Sequence, residues 1–195
     1  MLQISALALG AYQTNCYIIW AEGSKTCAVI DSGYEPERVL DQVSRLGLTI
    51  EAILLTHGHF DHVGAVRDLA AETGCPVYIH QAELSLPPAF TAGPLYYTHT
   101  YGEGDTLHFA GLTLKILHTP GHTPGCVCLQ TENALFCGDT LFAGSCGRTD
   151  LPGGSMATLR QSLARLRTLP DNLTLYPGHG ESSVLGEEKR YNPYL

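Results

Sequence analysis

Apolar residues in the first third of the chain come in short runs, not at helical spacing. QISALAL (3–9), NCYIIWA (15–21) and TCAVIDSG (26–33) are separated by polar turn residues and read as three strands. The period then changes. In EPERVLDQVSRLGL (35–48), Val39, Leu40, Val43 and Leu46 recur at helical spacing and Gly47 supplies a stop signal. AILLTH (52–57) reads as a buried strand, VGAVRDLAAETG (63–74) as a helix ending at Gly74, and PVYIH (76–80) as another strand. Residues 81–105 hold two adjacent prolines and the piece GPLYYTHTYGEGD, and they read as a long irregular connection of the kind that carries function or moves.

Beyond it the pattern predicts a hairpin over TLHFAGLTLKILHTPGH (106–122), pivoting on Ala110-Gly111. CVCLQ and NALFCGD form a second hairpin that turns at Thr131-Glu132-Asn133. SMATLRQSLARLRTLP (155–170) is an amphipathic helix with Leu159, Leu163 and Leu166 on one stripe, and NLTLYPGHG (172–180) is a last strand and loop. The tail GEEKRYNPYL, acidic then basic, is assigned no element. Strands interleaved with helices in both halves predict mixed sheets covered by helices, a layered α/β sandwich. No linker composition divides the halves, so residues 1–195 are expected to form one domain.

Composition narrows the function classes. A net charge of −8 argues against a nucleic-acid partner, because phosphate binding needs a basic face. No stretch is long and apolar enough for a membrane span, and no Lys or Arg precedes Lys25 to make a secretion signal. The seven cysteines are odd in number in a chain that is not small, which favours reduced thiols and a cytoplasmic location. Six of them are expected to pack as small apolar residues; Cys146, in a glycine-rich loop, is expected to be more accessible.

The chemistry concentrates in LLTHGHFDHVGA (54–65), where His57, His59, Asp61 and His62 follow an apolar strand. Imidazoles at i and i+2 at a strand end can face one metal ion. Asp61 and His62 come as the chain turns towards the next helix, and their placement hints at a second ion beside the first. Further donors stand in glycine-flanked loops after other strands: His122 in HTPGHTPG, Asp139 in FCGDTLF and His179 in LYPGHGES. Loops at strand ends are where α/β folds assemble sites. Gly121, Gly138, Gly178 and Gly180 beside these donors permit close backbone approach. Five imidazoles and two carboxylates are one donor too many for a single ion, and they fit two ions sharing a carboxylate. This donor set suits Zn, Fe or Mn, with open positions for water. His80, His99, His108 and His118 are left outside the site.

HGHFDH, PGH, GD and GHG in this order resemble the metallo-β-lactamase superfamily. NCYII, IDSG, TLFAGSCGRTDLPGG and the ending YPGHGES…GEEKRYNPYL look like the short glyoxalase II-like hydrolases within it. The resemblance implies a four-layer αβ/βα sandwich with metals at one edge of the sheets. It implies that His57, His59 and His122 hold a first divalent ion, that Asp61, His62 and His179 hold a second, and that Asp139 bridges them. Zinc is the ion it favours, with iron or manganese as alternatives.

The implied activity is hydrolysis of a glutathione-type thioester such as S-D-lactoylglutathione, a small-molecule substrate, with Asp61 orienting the attacking water. Arg148 matches a position that contacts the glutathione carboxylate in relatives; a loop arginine paired with Asp150 is the other reading, and Lys189 or Arg190 could hold the anion instead. The chain stops where the long enzymes carry a C-terminal helical domain, and Gly180-Glu181 stands where they place Glu-Tyr. The rival activity is that of a persulfide dioxygenase with a single iron on His57, His122 and Asp139. Other ester or lactone hydrolases of the superfamily remain open.

Overall fold

The runs that read as continuously apolar are buried on both faces. In β2 (Thr14–Ala21), Cys16 and Ile18 point to one side of the sheet and Tyr17 and Ile19 to the other. The same division separates Cys27 and Val29 from Ala28 and Ile30 in β3 (Thr26–Ile30), and Ile53 from Ala52 and Leu54 in β4 (Thr49–Leu54). Period-2 alternation is therefore present but invisible to a polarity pattern, as expected for strands covered on both sides.

The computed structural model describes residues 1–195. β2–β4 lie in a six-stranded sheet ordered β1-β2-β3-β4-β5-β6, with β1 (Leu2–Leu9), β5 (Val77–His80) and β6 (His99–Tyr101) completing it. Its first three strands are antiparallel and the rest are parallel. A second six-stranded sheet comprises β7 (Thr106–Phe109), β8 (Leu112–His118), β9 (Val127–Thr131), β10 (Ala134–Gly138), β13 (Thr174–Pro177) and β14 (Ser183–Val184), in the order β14-β13-β10-β9-β8-β7. The short strands β11 (Leu141–Phe142) and β12 (Ser145–Cys146) pair with each other beside it.

Three apolar layers hold the fold. Tyr17, Ile30 and Leu54 of the first sheet meet Leu114, Ile116, Leu129 and Phe136 of the second in the central one. Outside the first sheet, Val39 and Val43 of α1 (Pro36–Arg45) and Val66, Leu69 and Ala70 of α3 (Val66–Thr73) cover Ile18, Val29 and Ile53. Outside the second, Leu159, Leu163 and Leu166 of α4 (Met156–Leu166) cover Cys128, Leu135 and Cys137. Helix, sheet, sheet, helix is the four-layer sandwich that the resemblance implied. All cysteines are free; six are buried and Cys146 is half-buried.

Four features depart from expectation. The helix expected over 63–74 begins only at Val66, as α3, and a separate short turn, α2 (Phe60–Val63), precedes it where Gly33 and Gly64 bring the loop after β3 against the chain. A Cβ on Gly64 would lie 2.3 Å from the Gly33 carbonyl oxygen. The irregular segment contains two short 3₁₀ turns, Gln81–Ser85 and Pro88–Phe90, and the edge strand β6, which is too short to show a pattern. The tail forms α5 (Leu185–Tyr191), anchored by buried Leu185; its Glu187 and Glu188 lie in the first turn and Lys189 and Arg190 in the last, complementing the helix dipole. The second hairpin turns on Glu132-Asn133, since Thr131 still pairs with Ala134.

Candidate metal centre

β8, β10 and β13 run in one direction, so the loops after them leave one rim of the second sheet. The loop after β4 meets them there. The Val127 amide donates to the Thr56 carbonyl at 2.9 Å, and the Tyr17 hydroxyl donates to the Pro177 carbonyl at 2.7 Å. Asn15 Nδ2 also holds the last loop, donating to Pro177 and Gly180 carbonyls at 3.0 and 2.8 Å. The donors singled out from the sequence are thus brought together from both sheets.

They form two trios. His57, His59 and His122 each offer a ligand atom within 4.8 Å of the others, and so do Asp61, His62 and His179. In the first, His59 Nδ1 lies 2.8 Å from His122 Nε2. In the second, His179 Nε2 lies 3.2 Å from Asp61 Oδ2 and 3.4 Å from His62 Nε2. Asp139 reaches both: its Oδ1 is 3.3 Å from His62 Nε2, and its Oδ2 is 3.5 Å from His179 Nε2 and 3.6 Å from His122 Nε2.

The cluster fits divalent cations. His57 Nε2, His59 Nε2 and Asp139 Oδ1 are buried without a hydrogen-bond partner, a costly state for a polar atom. Imidazole nitrogen and carboxylate oxygen are donors for Zn, Fe or Mn. Gly178 allows the close packing, since a Cβ there would lie 2.2 Å from Asp139 Oδ1. Gly180 does not serve that purpose. A Cβ there would meet nothing, and its φ of +77° is what favours glycine.

Neighbouring groups hold Nδ1 of four of the five imidazoles and leave Nε2 for the cluster; His59 instead turns Nδ1 towards His122. His62 Nδ1 donates to Asp31 Oδ2 at 2.9 Å, His122 Nδ1 to the Arg148 carbonyl at 2.7 Å, and His179 Nδ1 to the Tyr12 carbonyl at 3.3 Å. His57 Nδ1 lies 3.1 Å from Thr56 Oγ1, and that hydroxyl donates to Asp31 Oδ2 at 2.6 Å. Thr14 Oγ1 donates to Asp61 Oδ2 at 3.0 Å. Sequence reasoning missed Asp31, Thr14 and Thr56. IDSG entered only as part of the resemblance, and nothing in it pointed to His62 as the partner of Asp31. Arg148 is exposed and bidentate to Asp150, with both contacts at 2.7 Å. Its side chain takes the ion-pair reading, while its carbonyl serves His122.

Burial holds His57 well below the usual imidazole range and His59 at about 4, with neighbouring imidazoles adding to it. Burial likewise depresses His122, and it sets His80 at about 4 beside His118. His62 is buried too, but Asp139 and Asp31 outweigh burial and raise it. Asp61 and His179 hydrogen-bond to each other, which lowers the first and raises the second against burial.

A stability profile follows for the metal-free protein. Unfolding frees His57, His59, His80 and His122 to protonate near 6.5, whereas the folded chain resists until about 4 in the case of His59. Stability therefore falls as pH falls through that window, and the depressed Asp61 and Asp139 lose stabilisation in the same direction lower down. His62 and His179 act oppositely, their contribution being full below the unfolded value and lost as pH rises through the folded one. The depressed groups outnumber them, so denaturant titration should show a loss on the order of 2 kcal/mol between neutral pH and pH ~4.5.

The cluster opens into a cleft of about 390 Å³ walled by Tyr12, Phe60, Phe90, Phe142 and Leu151, with Cys146 and Arg148 on its border. Tyr12 packs edge-on against Phe60 at 5.3 Å between ring centroids. No helix is long and apolar enough to cross a membrane.

Comparison with known proteins agrees with this architecture. The chain is 36% identical to "Hydroxyacylglutathione hydrolase GloC" of Haemophilus influenzae, over 100% of its own length and 98% of that protein. It superposes on the crystal structure of BLEG-1 B3 metallo-beta-lactamase with a TM-score of 0.92 and 35% identity, over 99% of each chain. With TTHA1623, solved in a di-iron-bound form, the TM-score is 0.88 and the identity 38%, over 98% of this chain and 100% of the other. The family model of the metallo-beta-lactamase superfamily matches residues 9–179, which span every donor of the two trios and Asp139. The chain belongs to the metallo-beta-lactamase superfamily.

Proposed function

We propose that the protein hydrolyses a glutathione-type thioester, such as a hydroxyacylglutathione, in the cleft beside the seven donors. The observation that carries this reading is Asp139 placed between two donor trios at the floor of an apolar-walled cleft. Similarity to the Haemophilus influenzae hydrolase supports the substrate class. His57, His59 and His122 would hold one divalent ion, Asp61, His62 and His179 a second, and Asp139 both; zinc is the ion we favour, with iron or manganese as alternatives. Two such cations supply a water that ionises near neutral pH and a Lewis acid for the carbonyl oxygen.

The chain's own groups do the rest. Asp61, fixed by Thr14 and kept ionised beside His179, orients the attacking water. The aromatic walls exclude bulk water and receive the uncharged part of the substrate. A thiolate leaving group has a pKa of about 8.5, so departure needs no general acid, and the reading assigns none.

Arg148 would meet the carboxylate of the substrate's thiol portion after releasing Asp150. Its ion pair with Asp150 is fully exposed and screened by solvent, so it exchanges readily. Arg148→Ala is expected to raise KM for anionic thioesters several-fold and to leave kcat nearly unchanged. An unchanged KM would place the anion elsewhere. Lys189 is already committed to Asp171 and the Leu169 carbonyl. The direct test is a panel of thioester hydrolysis and oxygen uptake on the purified protein. Thioester turnover is the expected result. Oxygen uptake with a persulfide and no thioester turnover would replace this reading by the single-iron alternative.

A further inference from the structure

Glu83 lies in the 3₁₀ turn Gln81–Ser85, in the segment that the sequence left irregular, and is fully buried. Its Oε2 accepts the Gly58 amide at 2.6 Å and its Oε1 accepts the Gly125 amide at 2.6 Å. Gly58 separates His57 from His59, and Gly125 stands in the loop that presents His122. One loop follows β4 of the first sheet and the other follows β8 of the second. The carboxylate is therefore a bridge between the sheets immediately behind the first trio. Contact is close on both sides: a Cβ would lie 2.7 Å from Oε1 at Gly125 and 3.0 Å from Oε2 at Gly58.

The turn itself is braced. His80 Nδ1 accepts the Ala82 amide at 3.2 Å, its ring stacks on His118 at 4.2 Å, and His118 Nε2 donates to the Pro124 carbonyl at 2.9 Å. Both ends of the Gly125 loop contact are thus tied to the Glu83 turn.

We infer that Glu83 is a positioning residue that sets the spacing of His57, His59 and His122 by holding the Gly58 and Gly125 amides on opposite oxygens of one carboxylate. The inference rests on the reading that this trio holds one of two metal ions. Side-chain chemistry singles out a carboxylate. A neutral glutamine would be less costly to bury, but it has one acceptor oxygen, and its amide nitrogen would face a second N–H donor. Glu83 is in no ion pair; burial pushes its carboxyl pKa up, and the Gly58 and Gly125 amides and the Thr123 hydroxyl oppose that shift. The other trio is oriented by Thr14, Asp31 and the Tyr12 carbonyl, and none of these touches Glu83.

The consequence is selective. Metal-free full-length protein titrated with zinc alone, with ions per chain counted by calorimetry and metal analysis, should bind two ions in the wild type. Glu83→Gln should keep one and bind the other at least about tenfold more weakly, as outer partners of metal ligands usually require. Gly125→Ala, which pushes on Oε1, should show the same selective loss with the glutamate intact, and Glu83→Asp should recover part of it. In a His179→Ala background, which removes a ligand of the other trio, Glu83→Gln should leave no tightly bound zinc. Wild type binding two ions, with Glu83→Gln and Gly125→Ala unchanged or weakened equally at both sites, overturns the inference alone. A wild type that takes up no zinc overturns the functional reading and this inference with it.

Discussion

Asp139→Ala is expected to remove bound metal and turnover together, lowering kcat/KM by about 10³-fold or more. Among the seven donors this carboxylate stands between the trios, 3.3 Å from His62 and 3.6 Å from His122. Its loss leaves the first trio with three neutral imidazoles and the second with Asp61 as its one anion, and no carboxylate remains for two ions to share. Several kilocalories per mole of transition-state stabilisation pass through the ions, and each 1.36 kcal/mol is about tenfold in rate. Asp139→Asn keeps the shape and removes the charge; it should fail in the same way. Metal analysis beside steady-state kinetics checks both variants. Full activity with normal metal content would refute the role given to Asp139.

Asp31→Asn should have the next largest effect, although Asp31 lines no part of the cleft. Oδ1 accepts the Thr56 amide at 2.8 Å, while Oδ2 accepts both the Thr56 hydroxyl at 2.6 Å and His62 Nδ1 at 2.9 Å. An asparagine that keeps its oxygen towards the Thr56 amide turns an N–H₂ group on His62. His62 must then carry its proton on Nε2, the nitrogen that faces Asp139 and His179. Affinity of the second trio for metal is expected to fall roughly 10–100-fold, with kcat falling alongside and the fold retained. Zinc titration read against far-ultraviolet dichroism separates these effects. A variant with unaltered zinc affinity would show that Asp31 serves only the Thr56 turn.

Asp31 also marks where the sequence ceased to be legible. Strands β2, β3 and β4 announced themselves because both their faces are buried, giving unbroken apolar runs. The donors were legible for a different reason: imidazole and carboxylate crowd into glycine-flanked loops at strand ends, where packing has no use for them. What orients them left little trace. Asp31 reaches Thr56 across 25 residues and Glu83 reaches Gly125 across 42, each as a single side chain with no local companion. The partners of His122 and His179 are backbone carbonyls, of Arg148 and Tyr12, and a carbonyl carries no residue identity. Arg148 shows the same limit from the other side, since its type suggested an anion contact while the fold sets its guanidinium on Asp150. β6 and α5 were missed because three paired residues and one buried leucine are too little pattern to read.

Two divalent ions sharing Asp139 would leave a distinct signature in this cluster. Anomalous diffraction from crystals of the metal-loaded protein, collected at the absorption edge of the bound element, tests for it most directly. Two peaks are expected, one within reach of His57, His59 and His122 and one within reach of Asp61, His62 and His179, with Asp139 beside both. A single peak confined to His57, His122 and Asp139, or no peak in the cluster at all, would contradict the two-ion reading.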